Sequence, residues 1–405
     1  WRAFVYGGDL EDRAPNERVA EDRANHALLE FLHLDGEFAE NVIVQIKCSA
    51  IDFQVWEPVH ALFGRMPNTR LALELDLAKQ YKGYDNVLGW EGPYMEWILQ
   101  TDMGWDDPGC TVAEVIAGKT QNRLPGAITA VANINNSRNW FGHLLNGSAL
   151  YTYGRQAWNP DLDPGKILRE WSVSTFGNEA APTVMEILDD SYGTMAKYMG
   201  LLGNHSLAEL QHHYEPDPWE GLFAREAGVT DSGIGVDRTM DTGSGYLGFY
   251  HPALRERFAD AETCPSNQLL YFHHLPWEHE MPDGRTLIQY LYDRYYEGVE
   301  EVREFQRHWR SLHGVVDLER WAHVYDKLAV QEQHAERWRD LMCRYFLETS
   351  GIPDEQNRFT ARSPSPHNRI RTGFWQAVED YRARVQRERA RIGALVEAAE
   401  GGAEN

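Results

Sequence analysis

The apolar run "NVIVQI", Asn41 to Ile46, is followed at once by Lys47 and, five residues later, by Asp52 within "SAIDFQVWEP". A lysine at a strand end can hold an anionic substrate, and a carboxylate close by can take a proton from a reacting group. The next apolar run, "RLALELDL", puts Glu74 and Asp76 on one face by two-residue alternation. Gln80 lies two steps further along that face if the extended path continues. A second carboxylate beside Asp52 would complete the two-acid arrangement of glycoside hydrolysis. Gln80 is not an acid, and Asp76 is the alternative on the same face. By spacing alone, a helix-capping acid and a surface lysine are the commoner outcome for a pair such as Lys47 and Asp52.

Other clusters carry less. "YFHHLPWEHE" gathers His273, His274, Glu278 and His279 without the spacing of a metal motif, so packing is the expected role. "DSGIGVDRTMDTGSGYLG" is glycine-rich but lacks the lysine pattern and strand context of a phosphate cradle. The 14 Trp and 19 Tyr would suit sugar stacking, yet a core needs most of those rings. "RVQRERARI" reads as one solvated helix face.

These residues need a scaffold. "WRAFVYG" is followed by the helical pattern "NERVAEDRANHALLEFL", then "NVIVQI", "RLALELDL", the helix-like "GPYMEWILQTD" and "GAITAVANI". Strand, crossover and strand with near-continuous apolar strands predict a parallel sheet, and an incomplete (β/α)8 barrel is the natural candidate. In such barrels the site forms at the carboxyl ends of the strands, where Lys47 and Asp52 stand. Beyond "AWNPDLDPGKILREWSVSTFG" the apolar residues recur at helical spacing, most clearly from Thr286 to Ser350. Gly314 and Asp317 punctuate that stretch, and "SGIPDE" closes it. The fold class is therefore α/β, with residues 1–180 as half of a barrel, 181–358 as a mainly α-helical domain, and 359–405 as a linker with an extra charged helix.

Composition bounds the function. The 405 residues are 42% hydrophobic and 25% charged, as in ordinary globular proteins. A formal charge of -23 repels phosphate backbones and anionic lipid, so neither nucleic acid nor membrane is an expected partner. Cys48, Cys110, Cys264 and Cys343 are scattered and read as ordinary thiols, leaving an extracellular or a cytoplasmic compartment equally open. The chain starts at Trp1 on what reads as a buried strand, as a fragment would.

Taken together, "WRAFVYG", "EDRA", "DGEFAENVIVQIKCSAIDFQVWEPVHALFGRMPNT", "VANINNSRNWFGH", "GRQAWNPDL", "GIGVDRT", "CPSNQLLYFHHLPW" and "SGIPDE" resemble, in order, the pattern of glycoside hydrolase family 67 α-glucuronidases. The resemblance runs from Trp1 to about Arg358. It implies a (β/α)8 barrel followed by a helical domain that often forms homodimers. It also implies inverting hydrolysis, without a metal or other cofactor, of the α-1,2 bond between 4-O-methylglucuronic acid and xylose in glucuronoxylan-derived oligosaccharides. By the same resemblance, Asp52 falls on one of two carboxylates that activate water. Lys47 falls on a lysine that binds the uronate carboxylate, and Arg13, in "EDRA", matches an arginine with that task.

The departures from the family pattern are specific. Its second water-activating carboxylate, a glutamate, falls on Gln80, and its general acid lies upstream of "WRAFVYG". Trp56 replaces the arginine of "DFQVREP", and "LFAREAGVTD" stands where the family has a His-Arg-Ala-Asp segment. Phe223 falls near a tryptophan that lines the sugar site. The resemblance thus implies a reshaped pocket, and a relative with impaired catalysis, acting as a uronate-binding or assembly module, is the alternative function.

Overall fold

The structure is a computed structural model, and it describes residues 1–5, 14–105, 110–120, 124–133, 139–209, 213–220 and 222–358. The expected final helix lies outside the described residues. Residues 1–357 form one compact unit.

Four parallel strands form its sheet in the order of the chain: β1 (Arg2–Ala3), β2 (Val44–Lys47), β3 (Leu71–Asp76) and β4 (Ala127–Val131). The register pairs Arg2 with Gln45, Lys47 with Glu74, and Glu74 with Thr129. Side-chain alternation therefore lines one face with Arg2, Gln45, Lys47, Glu74 and Asp76, and the other with Ile46, Leu71, Leu73 and Leu75. The polar face satisfies itself. Glu74 is fully buried and accepts Arg2 Nε at 2.8 Å and the amide of Gln45.

Between β1 and β2 the predicted single helix is two. Asp22 takes extended backbone between α1 (Glu17–Glu21) and α2 (Arg23–Phe31), and its side chain caps α2 through Ala24 N at 3.1 Å. A short polar side chain that can bond the backbone two residues on favours such a break. After β3, α3 (Gly92–Gln100) and α4 (Val112–Ala117) lead to β4. This is a partial (β/α)8 barrel.

The rest is mainly helical: α5 (Gly147–Trp158), α6 (Pro164–Asp189, broken at Gly177), α7 (Ser191–Met199), α8 (Leu222–Glu226), α9 (Pro252–Phe258), α10 (Leu269–Phe272), α11 (Leu287–Ser311) and α12 (Leu318–Ser350). A two-stranded antiparallel ribbon, β5 (Gly233–Ile234) with β6 (Leu275–Pro276), interrupts them. Asp317 caps α12 through Arg320 N at 3.1 Å, and Gly351 ends it at φ 71°, a conformation that costs a Cβ-bearing residue. The helical core packs Leu168, Trp171, Val184 and Ile187 against Phe305, Trp309, Val324 and Leu328. Leu88 and Trp90, from the turn before α3, belong to the same cluster, and Gln331 bonds both Leu88 N and Leu88 O, so the segment that follows β3 is anchored in the helical core.

Candidate functional site

Lys47 ends β2, and the loop after it carries Asp52. Lys47 is 3% exposed, and its Nζ pairs with Asp52 Oδ1 while lying 3.4 Å above the Phe4 ring. Burial pulls the Lys47 pKa below its ordinary value, against the opposing pull of Asp52. The second Asp52 oxygen accepts Tyr81 OH at 3.1 Å. Burial, then the Asp52 charge, push the Tyr81 phenol far up, so it stays a donor at every physiological pH.

The loop is closed by an antiparallel bridge from Ser49 to Val59 and by His60 N donating to Cys48 O at 3.0 Å. At its centre Glu57 is fully buried and accepts the backbone N–H groups of Ile51, of Asp52 at 3.2 Å and of Gln54 at 3.0 Å. Burial nonetheless raises its pKa above the usual carboxylate range.

The strand that should carry the second acid does not continue. Asp76 turns the chain by accepting Ala78 N at 2.7 Å and Lys79 N at 3.2 Å, and Lys79 adopts φ 55°. Gln80 therefore leaves the face of Glu74 and Asp76. It is half-buried and makes no side-chain hydrogen bond among the described residues. Asp76 is committed elsewhere, since Lys82 Nζ bridges Asp76 Oδ2 and Glu91 Oε1 at 2.9 Å each in a fully buried triad. Burial opposes the Lys82 charge, but Asp76 and Glu91 outweigh it and raise its pKa well above the usual value.

Arg13 lies outside the described residues. A second "EDRA" occurs at Glu21 to Ala24, and its arginine does reach the site. Asp22 is gripped by Arg238 of "GIGVDRT", with Nε to Oδ2 at 2.9 Å and Nη2 to Oδ1 at 3.0 Å. Burial works against the Asp22 carboxylate, but the Arg238 guanidinium outweighs it and holds its pKa below the ordinary value. Held this way, Arg23 pairs with Glu226 at 2.9 Å and feels the Asp52 charge. Arg23, Glu226, Arg238 and Ile51 line a cavity of about 380 Å³.

Phe223 also arrives here, its ring centroid 6.0 Å from that of Tyr81 and 4.7 Å from that of His205. Burial pushes the His205 pKa well below its ordinary value, so its approach to Glu226 at 3.3 Å is not an ion pair. Sequence reasoning missed Arg23, Glu57, Tyr81 and Glu226. Only Arg23 left a signal, the repeated four-residue word.

The other clusters are structural. His273 Nε2 contacts Phe258 O and His274 Nδ1 contacts Gly235 O, both at 2.8 Å. Among the described residues no group of three or more His, Cys, Asp or Glu could hold a metal ion, and no helix is long and apolar enough to cross a membrane.

Two family models match the chain. The glycosyl hydrolase family 67 middle domain matches residues 1–140, and the glycosyl hydrolase family 67 C-terminus matches residues 141–359. Alpha-glucuronidase A of Aspergillus tubingensis is 36% identical over 368 residues, 88% of this chain and 43% of that protein. Alpha-glucuronidase A of Emericella nidulans is 35% identical with the same coverage. The chain therefore spans less than half the length of these relatives. Two consecutive domain matches in order, over the same sheet and helices that build the Lys47 and Asp52 site, settle the family: the chain belongs to glycosyl hydrolase family 67.

Proposed function

We propose that this chain carries the water-activating side of an α-glucuronidase, which cleaves the α-1,2 linkage between (4-O-methyl)glucuronic acid and xylose in xylan-derived oligosaccharides with inversion. The observation that carries the reading is the buried carboxylate of Asp52, held between Lys47 and Tyr81 at the carboxyl end of a barrel strand. In this reading Asp52 takes the proton of a water that attacks the anomeric carbon as the bond to the xylose oxygen breaks, and a general acid protonates that oxygen. Lys47 and Arg23 supply the cations that a uronate carboxylate requires, and Phe223 supplies an apolar wall. Gln80 orients the water as a neutral amide but cannot take its proton.

The test is release of 4-O-methylglucuronic acid from aldotriouronic acid by the full-length gene product, beside its Asp52→Asn and Gln80→Glu variants. Wild-type activity that falls by roughly 10²- to 10⁴-fold in Asp52→Asn is expected. No release by wild type or by Gln80→Glu overturns the reading.

Gln80 favours a second reading, in which the protein has given up hydrolysis and keeps a uronate-binding surface, or serves in assembly through homodimers of its helical part. Calorimetry with glucuronic acid would then show binding that disappears in Lys47→Ala. Hydrolysis by the wild-type protein would dismiss it.

A further inference from the structure

We infer that Glu57 is a positioning residue for Asp52: its buried carboxylate, turned onto the backbone N–H groups of Ile51, Asp52 and Gln54, shapes the loop that presents Asp52 to the reaction. The inference rests on the proposed glycosidase reading and adds to it a residue that does no proton transfer itself.

The argument begins with backbone donors. A loop that leaves a strand and returns beside it turns N–H groups inward, and each buried one needs an acceptor. Between Ser49 and Val59 one side chain answers three of them: Glu57 accepts from Ile51, Asp52 and Gln54. The Ser49 hydroxyl accepts Phe53 N at 3.0 Å in the same loop. Successive N–H groups turned onto one anion make a nest, and such bonds to a charged acceptor are about twice as strong as neutral ones.

The nest holds an unfavourable backbone. Phe53 and Trp56 adopt φ 60° and 56°, the left-handed region that residues with a Cβ avoid. Phe53 follows Asp52 directly, so the turn that aims Asp52 exists only while something offsets this cost. The loop is also clamped from outside, where Ser206 N donates to Gln54 Oε1 at 2.8 Å, Gln268 Nε2 to Trp56 O at 2.5 Å and Tyr94 OH to Glu57 O at 3.0 Å. None of these three bonds touches Ile51 or Asp52. The bond to the Asp52 N–H comes from Glu57 alone, and it fixes the backbone from which the Asp52 side chain reaches Lys47 and Tyr81.

Glu57 has no free oxygen for chemistry, since Oε1 takes Ile51 and Oε2 takes both Asp52 and Gln54. Its effect must pass through Asp52. A displacement of about 1 Å at a reacting group can cost roughly 10²-fold in rate.

The experiment is a double-mutant cycle on the full-length product with aldotriouronic acid: wild type, Glu57→Gln, Asp52→Asn and the pair, each checked for its melting temperature. Glutamine keeps the size and one acceptor oxygen, so the variant is expected to fold. The expected result is kcat for Glu57→Gln lower by roughly 10- to 100-fold with KM changed less than about threefold, and no further loss when Glu57→Gln is added to Asp52→Asn. An equal loss in both backgrounds, or a lower melting temperature with unchanged kcat, marks a merely structural residue and overturns the inference. A silent wild type refutes the glycosidase reading instead. In that case calorimetry with glucuronic acid decides for Glu57: binding weakened in both Glu57→Gln and Asp52→Asn, without additivity, supports the inference, and unchanged binding in Glu57→Gln overturns it.

Discussion

The phenolic oxygen of Tyr81 stands 3.1 Å from Oδ2 of Asp52, while Lys47 Nζ meets Oδ1, so the one carboxylate ties together the ends of two neighbouring strands. Both partners are donors, and both are buried with it. Tyr81→Phe removes one of two bonds that orient Asp52 while keeping the ring against Phe223. The expected outcome is kcat lower by about 10-fold, the size of one hydrogen bond to a charged group, with little change in melting temperature. Steady-state kinetics on aldotriouronic acid check it.

Gln80 is half-buried and free of side-chain bonds among the described residues, so a charge introduced there meets no existing partner. Gln80→Glu places a second acceptor of protons after β3. If Asp52 works with a group at this position, kcat for uronic acid release rises by about 10-fold or more. An unchanged or lower kcat would show that position 80 is remote from the water.

Arg23 opens onto the 380 Å³ cavity, whereas Lys47 is enclosed by Asp52 and aromatic rings. In the proposed reading Arg23, which lines this cavity with Arg18, Arg225 and Arg238, is therefore a cation that a uronate meets before Lys47. Arg23→Gln is expected to raise KM for aldotriouronic acid by roughly 10-fold and to alter kcat less, as loss of uniform binding does. Equal losses in both parameters would place Arg23 in the chemical step.

The Lys82 triad makes a stability prediction. Removing the cation in Lys82→Met leaves Asp76 and Glu91 buried without their partner, at a cost of about 3 to 5 kcal/mol. Urea unfolding measures it. Adding Glu91→Gln to Lys82→Met should recover part of the loss, because one of the two stranded charges is gone.

His334 gives a pH dependence. Burial lowers its pKa to about 4, against the opposing bond to Tyr214 O at 2.8 Å. The unfolded histidine takes a proton near pH 6.5, so between about pH 6.5 and 4 the unfolded state binds more protons than the folded one. Stability from this group is full above pH 6.5 and falls as pH drops, by up to about 1.4 kcal/mol per unit. Urea midpoints at pH 6.5 and 5 should therefore differ less in His334→Gln than in wild type.

Much of the scaffold was legible in local pattern. Near-continuous apolar runs marked β2, β3 and β4, and helical spacing marked α11 and α12 with the turn at Gly314 and Asp317 between them. The run "WRAFVYG" was less informative, because among its described residues only Arg2 and Ala3 pair with a neighbouring strand. Asp22 escaped notice because, although its cap on Ala24 is local, its bond to Arg238 depends on a residue far along the chain. The condition for Gln80 to share the face of Glu74 and Asp76, a backbone that stays extended, is not met, because Asp76 caps a turn.

Sequence alone determined the family, the parallel strands, and the placing of a lysine at a strand end with an acid five residues on, though not that the two pair. Those features are local, set by side-chain period and chain connectivity over short spans. Tertiary structure decided which acid is poised and which is spent: Asp52 between Lys47 and Tyr81, Asp76 locked to Lys82, Glu57 turned inward to the loop. It also brought Arg23, Phe223 and Glu226 to one place from sequence positions some 200 residues apart. A carboxylate's role depends on the charges and donors packed around it, and those come from elements that only folding makes neighbours.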